Sequence, residues 1–167
     1  MDINKIKARD IGLITGALMI GISLADFAIN KNFEGWLQFV VYGLYTAGIL
    51  TCIFLYRSRS NNEAKFKDYF SEGFKCFVVV TLMMVIFTAV FILTHPEQKE
   101  QMVVEMTKEF AKSKDLTPLD IQNRIDTAKR FYLPGFIMWV ILSYLIMGTL
   151  ITVIFGGFLS AAKKQIN

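Results

Sequence analysis

Long apolar stretches alternate with short polar ones along this chain. Four apolar runs, Ile11 to Asn30, Trp36 to Tyr56, Phe74 to Thr94 and Leu133 to Leu159, are separated by segments in which charges cluster. A helix needs about 20 residues to cross the ~30 Å hydrocarbon core of a bilayer, and each run reaches that length. None alternates apolar with polar residues as a barrel strand does, so helices, which satisfy their own backbone hydrogen bonds, are the spanning solution left. The pattern predicts an all-α integral membrane protein with four transmembrane helices. It reads as a single membrane domain over residues 1–167, with polar loops at 57–73 and 95–130.

Both loops carry helical periodicity of their own. Phe66, Tyr69, Phe70 and Phe74 recur at helical spacing with Lys65, Lys67 and Asp68 on other faces, which predicts a short interfacial helix on the cytoplasmic side. In the second loop Met102, Val103, Met106 and Phe110 share one face. Thr117 then suits an N-cap, Pro118 the first helical position and Asp120 the first turn, with Ile121, Ile125 and Ala128 as the next apolar face. These features predict an extracytoplasmic amphipathic helical hairpin broken near Lys114. Pro134-Gly135 is expected to kink or break the entry into the fourth span.

Composition agrees with the pattern. A chain of 167 residues with 54% hydrophobic residues and a mean hydropathy of +0.45 is too apolar for an ordinary soluble domain. Lys and Arg favour cytoplasmic flanks: Lys5, Lys7 and Arg9 precede the first run, Lys31 alone follows it, and Lys163-Lys164 follows the fourth. Both termini are accordingly expected in the cytoplasm of a multi-pass inner-membrane protein. Lys5, Lys7 and Arg9 before an apolar run that reaches Ser23-Leu24-Ala25 also fit a secretory signal. Gly12, Gly16 and Gly21, together with the apolar residues beyond Asp26, favour a retained helix packed on others. Cys52 and Cys76 fall near the same membrane face, show no CxxC spacing and read as small apolar filler.

Phe70-Ser71-Glu72-Gly73-Phe74-Lys75 at the start of the third span and His95-Pro96-Glu97 at its end carry a resemblance. With the aromatic interfacial stretch before them, they resemble a bacterial family of uncharacterised integral membrane proteins defined by a domain of unknown function. The resemblance covers nearly the whole chain, and the stretch from Phe70 to Glu97 is its most specific part. It implies a four-span inner-membrane protein of Gram-negative type, without an activity to transfer.

A few polar residues stand out as candidates. Glu72 and Lys75 are three residues apart, so they share a helix face and can pair where the third span begins. A charge at a span end snorkels to the headgroups at little cost, so the plain reading is a membrane junction and the sharper one is partner binding or gating. Asp26 lies about 9 Å beyond the midplane of a first span centred near Ile20, at a rise of ~1.5 Å per residue. An intramembrane carboxylate suggests a proton or cation site, against the plainer reading of an interfacial residue hydrogen-bonded to a neighbouring helix or to water. His95 is the only histidine and reads as a helix-end residue before Pro96, since a metal site needs further ligands. Catalytic, cofactor-binding and metal motifs are not recognised, and no cofactor is expected. Small residues recur every fourth position: Ala17, Gly21 and Ala25; Gly43 and Ala47; Gly148, Thr152, Gly156 and Ser160. Stripes of this kind let helix backbones meet in lipid, and Gly21, Gly43, Gly148, Thr152 and Gly156 are expected to pack helices, either within the bundle or between copies.

The leading expectation is a non-enzymatic membrane protein that binds or organises a partner protein or a lipid-linked pathway. Its polar surface lies in amphipathic elements rather than along an internal channel. The alternative is a small dimeric cation/proton-coupled transporter using Asp26, and the third a membrane enzyme in which His95, Asp26 and loop acids converge. Membrane lipid, a membrane protein and a second copy are the partners considered, and no nucleic acid is expected.

Overall fold

A computed structural model describes residues 7–30, 35–60, 64–110 and 117–164. Among them the chain is helical, without strands, in the order α1 (Ala8–Asn30), α2 (Gly35–Arg59), α3 (Phe66–Thr94), α4 (Pro96–Phe110) and α5 (Pro118–Lys164). Four of these, α1, α2, α3 and α5, are long and apolar enough to cross a membrane. The turn expected near Lys114 and the flanking Lys5 and Lys31 lie outside the described residues.

Three helices begin with the same device. The Asp10 carboxylate accepts a hydrogen bond from the Lys7 N–H (3.0 Å), Asp68 from Lys65 (2.9 Å) and Asp120 from Thr117 (3.2 Å). An acid three residues into a helix that reaches back to the capping N–H satisfies one of the donors the first turn cannot pair. At α5 the arrangement is reciprocal, because the Thr117 hydroxyl accepts from the Asp120 N–H at 3.2 Å while donating to its carboxylate at 2.6 Å. That hydroxyl, and then the Thr117 N–H, hold the exposed Asp120 carboxyl below the usual carboxylate range.

Two boundaries differ from the sequence expectation. The aromatic stretch from Phe66 is no separate interfacial helix but the first turns of α3. Phe66, Phe70, Phe74 and Phe77 follow one another at ring separations of 6.1, 6.1 and 5.1 Å. Gly73, the only weak helix former there, is packed against Thr152, which offsets its propensity cost of about 1 kcal/mol. At Pro134 the helix is not broken, since α5 runs as one 47-residue helix with Pro134 inside it. A proline removes a single N–H, and only the Arg130 carbonyl loses its helical donor.

The chain divides into two compact units, Met1–Met84 with Ile141–Asn167, and Val85–Val140. The first is a bundle of α1, α2 and the adjoining parts of α3 and α5, and its contacts fix the helix directions. The Cys52 thiol reaches the Ala8 carbonyl at 3.7 Å, so α1 and α2 run antiparallel, and the Cys76 thiol reaches the Gly48 carbonyl at 3.7 Å from α3. The Tyr45 hydroxyl donates to the Tyr144 carbonyl at 2.7 Å and its ring meets that of Tyr144 at 5.1 Å, joining α2 to α5. Between α3 and α5, Gly73 faces Thr152, Phe77 faces Gly148 and Tyr69 faces Gly156, again antiparallel. The amino ends of α1 and α3 and the carboxyl ends of α2 and α5 therefore meet at one end of the bundle.

Small residues allow these approaches, though not all the expected ones. A Cβ on Gly148 would lie 2.6 Å from the Phe77 ring, one on Gly156 3.3 Å from the Tyr69 Cβ, and Thr152 is fully buried. Gly21 and Gly43 make no such approach within this chain: nothing lies within 4 Å of a Cβ built on either. The reason is geometric. The buried face of α1 follows Ile11, Thr15, Met19, Ser23 and Asp26, and Ala17, Gly21 and Ala25 each lie two residues, about 200° of helical turn, beyond a member of it. Gly12 and Gly16 are the glycines of α1 that meet another helix closely, with a Cβ 2.9 Å from the Cys76 carbonyl and 2.6 Å from the Met83 sulfur.

The outer faces are apolar. Phe39, Trp139 and Phe158 are exposed at 78%, 68% and 74%, amid many exposed Leu, Ile and Val residues, which is tenable where hydrocarbon rather than water is the surrounding medium. With four helices of spanning length, the chain is a multi-pass membrane protein.

The second unit holds the end of α3, α4 and the first part of α5. In α4 Met102, Val103, Met106 and Phe110 are half-buried while Val104 and Glu105 are exposed. The Arg124 guanidinium of α5 lies 5.9 Å from the Phe110 ring centre, bringing the two arms together, and Ile125 is buried.

Candidate functional site

The end of the bundle where α1 begins and α2 stops carries a cavity of about 530 Å³. Lys7, Ala8 and Arg9 line it from the start of α1, Tyr56, Arg59 and Ser60 from the end of α2 and the residue after it, and Glu72 and Lys75 from α3. Local folding explains their convergence. The Asp10 cap starts α1 at Ala8, so Lys7 and Arg9 flank its first residue. Arg57 and Arg59 form the last turn of α2, and Tyr56 packs edge-on against Tyr69 of α3 at 6.3 Å. Tyr69 in turn sets α3 so that Glu72 and Lys75, about one and two turns further, line the same space.

Glu72 and Lys75 form the ion pair their spacing suggests, with Nζ 2.7 Å from Oε1. The carboxylate side is largely covered, at 20% exposure, whereas the ammonium side is open at 56%. An exposed pair of this kind contributes about 0.3–0.5 kcal/mol, so its placement matters more than its strength. Arg9 lies 3.8 Å from Asp10 through Nε, and the Ser60 hydroxyl donates to the Arg57 carbonyl at 3.1 Å. Among the described residues the lining thus gathers four cationic residues, Lys7, Arg9, Arg59 and Lys75, and one carboxylate, Glu72. Beside it, Ala8 joins Ile11, Cys52 and Cys76 in a buried apolar cluster that closes the bundle under the charges. Both cysteines are free thiols.

The other candidates stand elsewhere. Asp26 is buried, at 4% exposure, and takes part in a polar interaction. It sits 18 residues along α1 from Ala8, roughly 27 Å at ~1.5 Å per residue, and is not among the cavity residues. His95 belongs to the second unit, where its ring stacks on Phe91 at 4.3 Å and its Nδ1 lies 2.9 Å from the Thr94 hydroxyl and 3.0 Å from the Phe91 carbonyl. Among the described residues no group of three or more His, Cys, Asp or Glu side chains comes together as metal ligands do.

Sequence reasoning finds Glu72 and Lys75, uses Lys7 and Arg9 only as markers of orientation, and assigns no part in a site to Arg59, Tyr56 or Ser60. The available signal was positional. All of these residues flank span ends, and in a bundle of alternating direction the start of the first span, the end of the second and the start of the third must share an end.

Chemically the arrangement is a donor-rich recess. Guanidinium and ammonium groups donate hydrogen bonds and accept none, so the complement is an anionic acceptor.

The family model described as "Protein of unknown function (DUF4199)" matches residues 10–160, and the chain belongs to that family. No curated protein and no solved structure matches it.

Proposed function

We propose that this chain, with its four helices of spanning length, is a non-enzymatic inner-membrane protein, with both termini in the cytoplasm, that binds or organises a partner at the ends of its bundle. The observation that carries the reading is the convergence of Lys7, Arg9, Arg59, Glu72 and Lys75 on one recess. The interior offers a contrast. The Thr81 and Thr152 hydroxyls donate to carbonyls of their own helices, at 2.8 and 2.7 Å, and among the described residues no buried side-chain nitrogen or oxygen lacks a hydrogen-bond partner. Asp26 apart, charged side chains are thus concentrated where a partner can reach them, as expected of a binding protein rather than a channel.

The test is retention. Full-length protein extracted in mild detergent, beside an Arg59→Gln/Lys75→Gln variant of equal helicity, is analysed by mass spectrometry for bound proteins and lipids. A component held by the wild type and lost from the variant is expected. Identical retention by both, or none by either, overturns the reading.

The cation/proton-coupled transporter remains the second reading, because Asp26 is a buried carboxylate on the packed face of α1.

A further inference from the structure

We infer that the recess at the start of α1 is a phosphate-binding site, which takes the phosphate of an anionic phospholipid headgroup or free phosphate. The inference rests on the preceding proposal that this end of the bundle is a binding surface, and it names the ligand. Arg9 and Arg59, with guanidinium groups, and Lys7 and Lys75, with ammonium groups, line a common space of about 530 Å³, and Glu72 is the only carboxylate among the described residues of that lining. Phosphate oxygens are acceptors with delocalised negative charge, and Arg forks bind two of them at once while Lys supplies a point charge. The volume suits a small ligand rather than a peptide segment, since pockets for small molecules run from about 300 to 1,000 Å³.

Depth makes phosphate the favoured anion. The lining comes from the start of α1, the end of α2 and the second and third turns of α3, and the buried apolar cluster of Ile11, Cys52 and Cys76 lies directly beside it. Residues at the edge of the apolar belt lie at headgroup level, where phosphate is the abundant anion and basic clusters recognise it. The Tyr56 phenol at the same level adds a hydroxyl and an amphipathic ring suited to that layer.

Glu72 has a definite part in this site. It holds Lys75 at 2.7 Å, so an entering phosphate competes with it for the ammonium group. Removing its charge, by Glu72→Gln, should therefore tighten binding, whereas Arg9→Gln/Arg59→Gln should weaken it. Lys67, exposed near the start of α3 and outside the lining, provides a control for overall charge.

Native mass spectrometry of the full-length chain in a neutral detergent reads binding directly. The probes are dioctanoyl phosphatidylglycerol, dioctanoylglycerol without phosphate, inorganic phosphate, and triglutamate as a carboxylate peptide. The expected result is one saturable phosphatidylglycerol, no dioctanoylglycerol, and binding about tenfold or more weaker in Arg9→Gln/Arg59→Gln, as loss of charge-assisted hydrogen bonds implies. Glu72→Gln should bind more tightly and Lys67→Gln as the wild type. Should the arginine variant fail to fold, Glu72→Gln against Lys67→Gln carries the comparison. Competition by millimolar inorganic phosphate assigns the site to free phosphate, and no competition assigns it to the lipid. Triglutamate bound without phosphatidylglycerol overturns the phosphate site but leaves a protein partner standing. Phosphatidylglycerol bound equally by all variants, or neither phosphate-bearing probe bound, overturns it as well. Loss of charge-dependent retention in the extraction experiment, by contrast, removes the binding surface altogether.

Discussion

Gly148 shows what a single hydrogen atom in place of a methyl group does for this bundle. A Cβ there would overlap the Phe77 ring at 2.6 Å and meet the Tyr45 hydroxyl. Overpacking of this kind costs about 1–3 kcal/mol, so Gly148→Ala should lower the melting temperature in detergent. Gly21→Ala should leave it unchanged or raise it, because the added methyl meets open space and alanine is the better helix former by roughly 0.5–1 kcal/mol. A drop at Gly21 equal to that at Gly148 would contradict the assignment of faces. Asp26 poses a different question at the same scale. Asp26→Asn keeps shape and hydrogen bonding but cannot exchange a proton, so on the partner-binding reading the change is nearly silent in both fold and transport. Vesicles loaded with a pH-sensitive dye and challenged with cationic compounds test this, and cation-driven proton efflux that vanishes in the Asn variant would establish the transporter instead.

Helix boundaries follow the run lengths closely but not the loops between them. The runs read at Ile11 to Asn30 and Trp36 to Tyr56 became Ala8–Asn30 and Gly35–Arg59, since apolar length and flanking charge are local properties of the sequence. Phe66 and Pro118 start helices well before the apolar runs at Phe74 and Leu133, because Asp68 and Asp120 cap them and nothing downstream stops the hydrogen-bond ladder. The Thr117 and Asp120 pair was legible from residue type, whereas the Lys7 and Lys65 starts were hidden because their caps use the backbone N–H rather than a recognisable side chain. The α5 cap has a pH signature. Its folded carboxyl pKa lies below the unfolded value, so its contribution is full above the ordinary Asp value of ~3.9 and is lost as pH falls through the lower folded value. Fraying of residues 117–121, followed by backbone amide NMR shifts, should therefore set in only in strong acid, and Thr117→Ala should move its onset to higher pH.

At the scale of the molecule, the count and identity of spans were written in the sequence, but which residues meet was not. Four-residue spacing suggested Gly21 and Gly43, and only the packed bundle distinguishes them from Gly12, Gly16 and Gly148. The recess was equally hidden, because its lining comes from three stretches of chain far apart in sequence. Orientation is open to direct test. Cysteines introduced at Ser58 and Lys108, both exposed, should react differently with a membrane-impermeant maleimide on intact spheroplasts, against a low background from the buried Cys52 and Cys76. Reaction at Lys108→Cys but not at Ser58→Cys is expected for cytoplasmic termini, and the reverse would invert the proposed topology.

The alternating helix directions have an electrostatic consequence for the recess. Each helix carries about half a positive charge at its amino end and half a negative one at its carboxyl end. The end that holds the recess gathers two of each, from α1 and α3 and from α2 and α5, so these macrodipoles largely offset one another. The Asp10 and Asp68 carboxylates already answer the two positive ends. The field an approaching anion meets is consequently that of the Lys and Arg side chains, which are screened over a Debye length of about 8 Å at physiological salt. Its strength is therefore set by substitution and by ionic strength rather than by the backbone of the bundle.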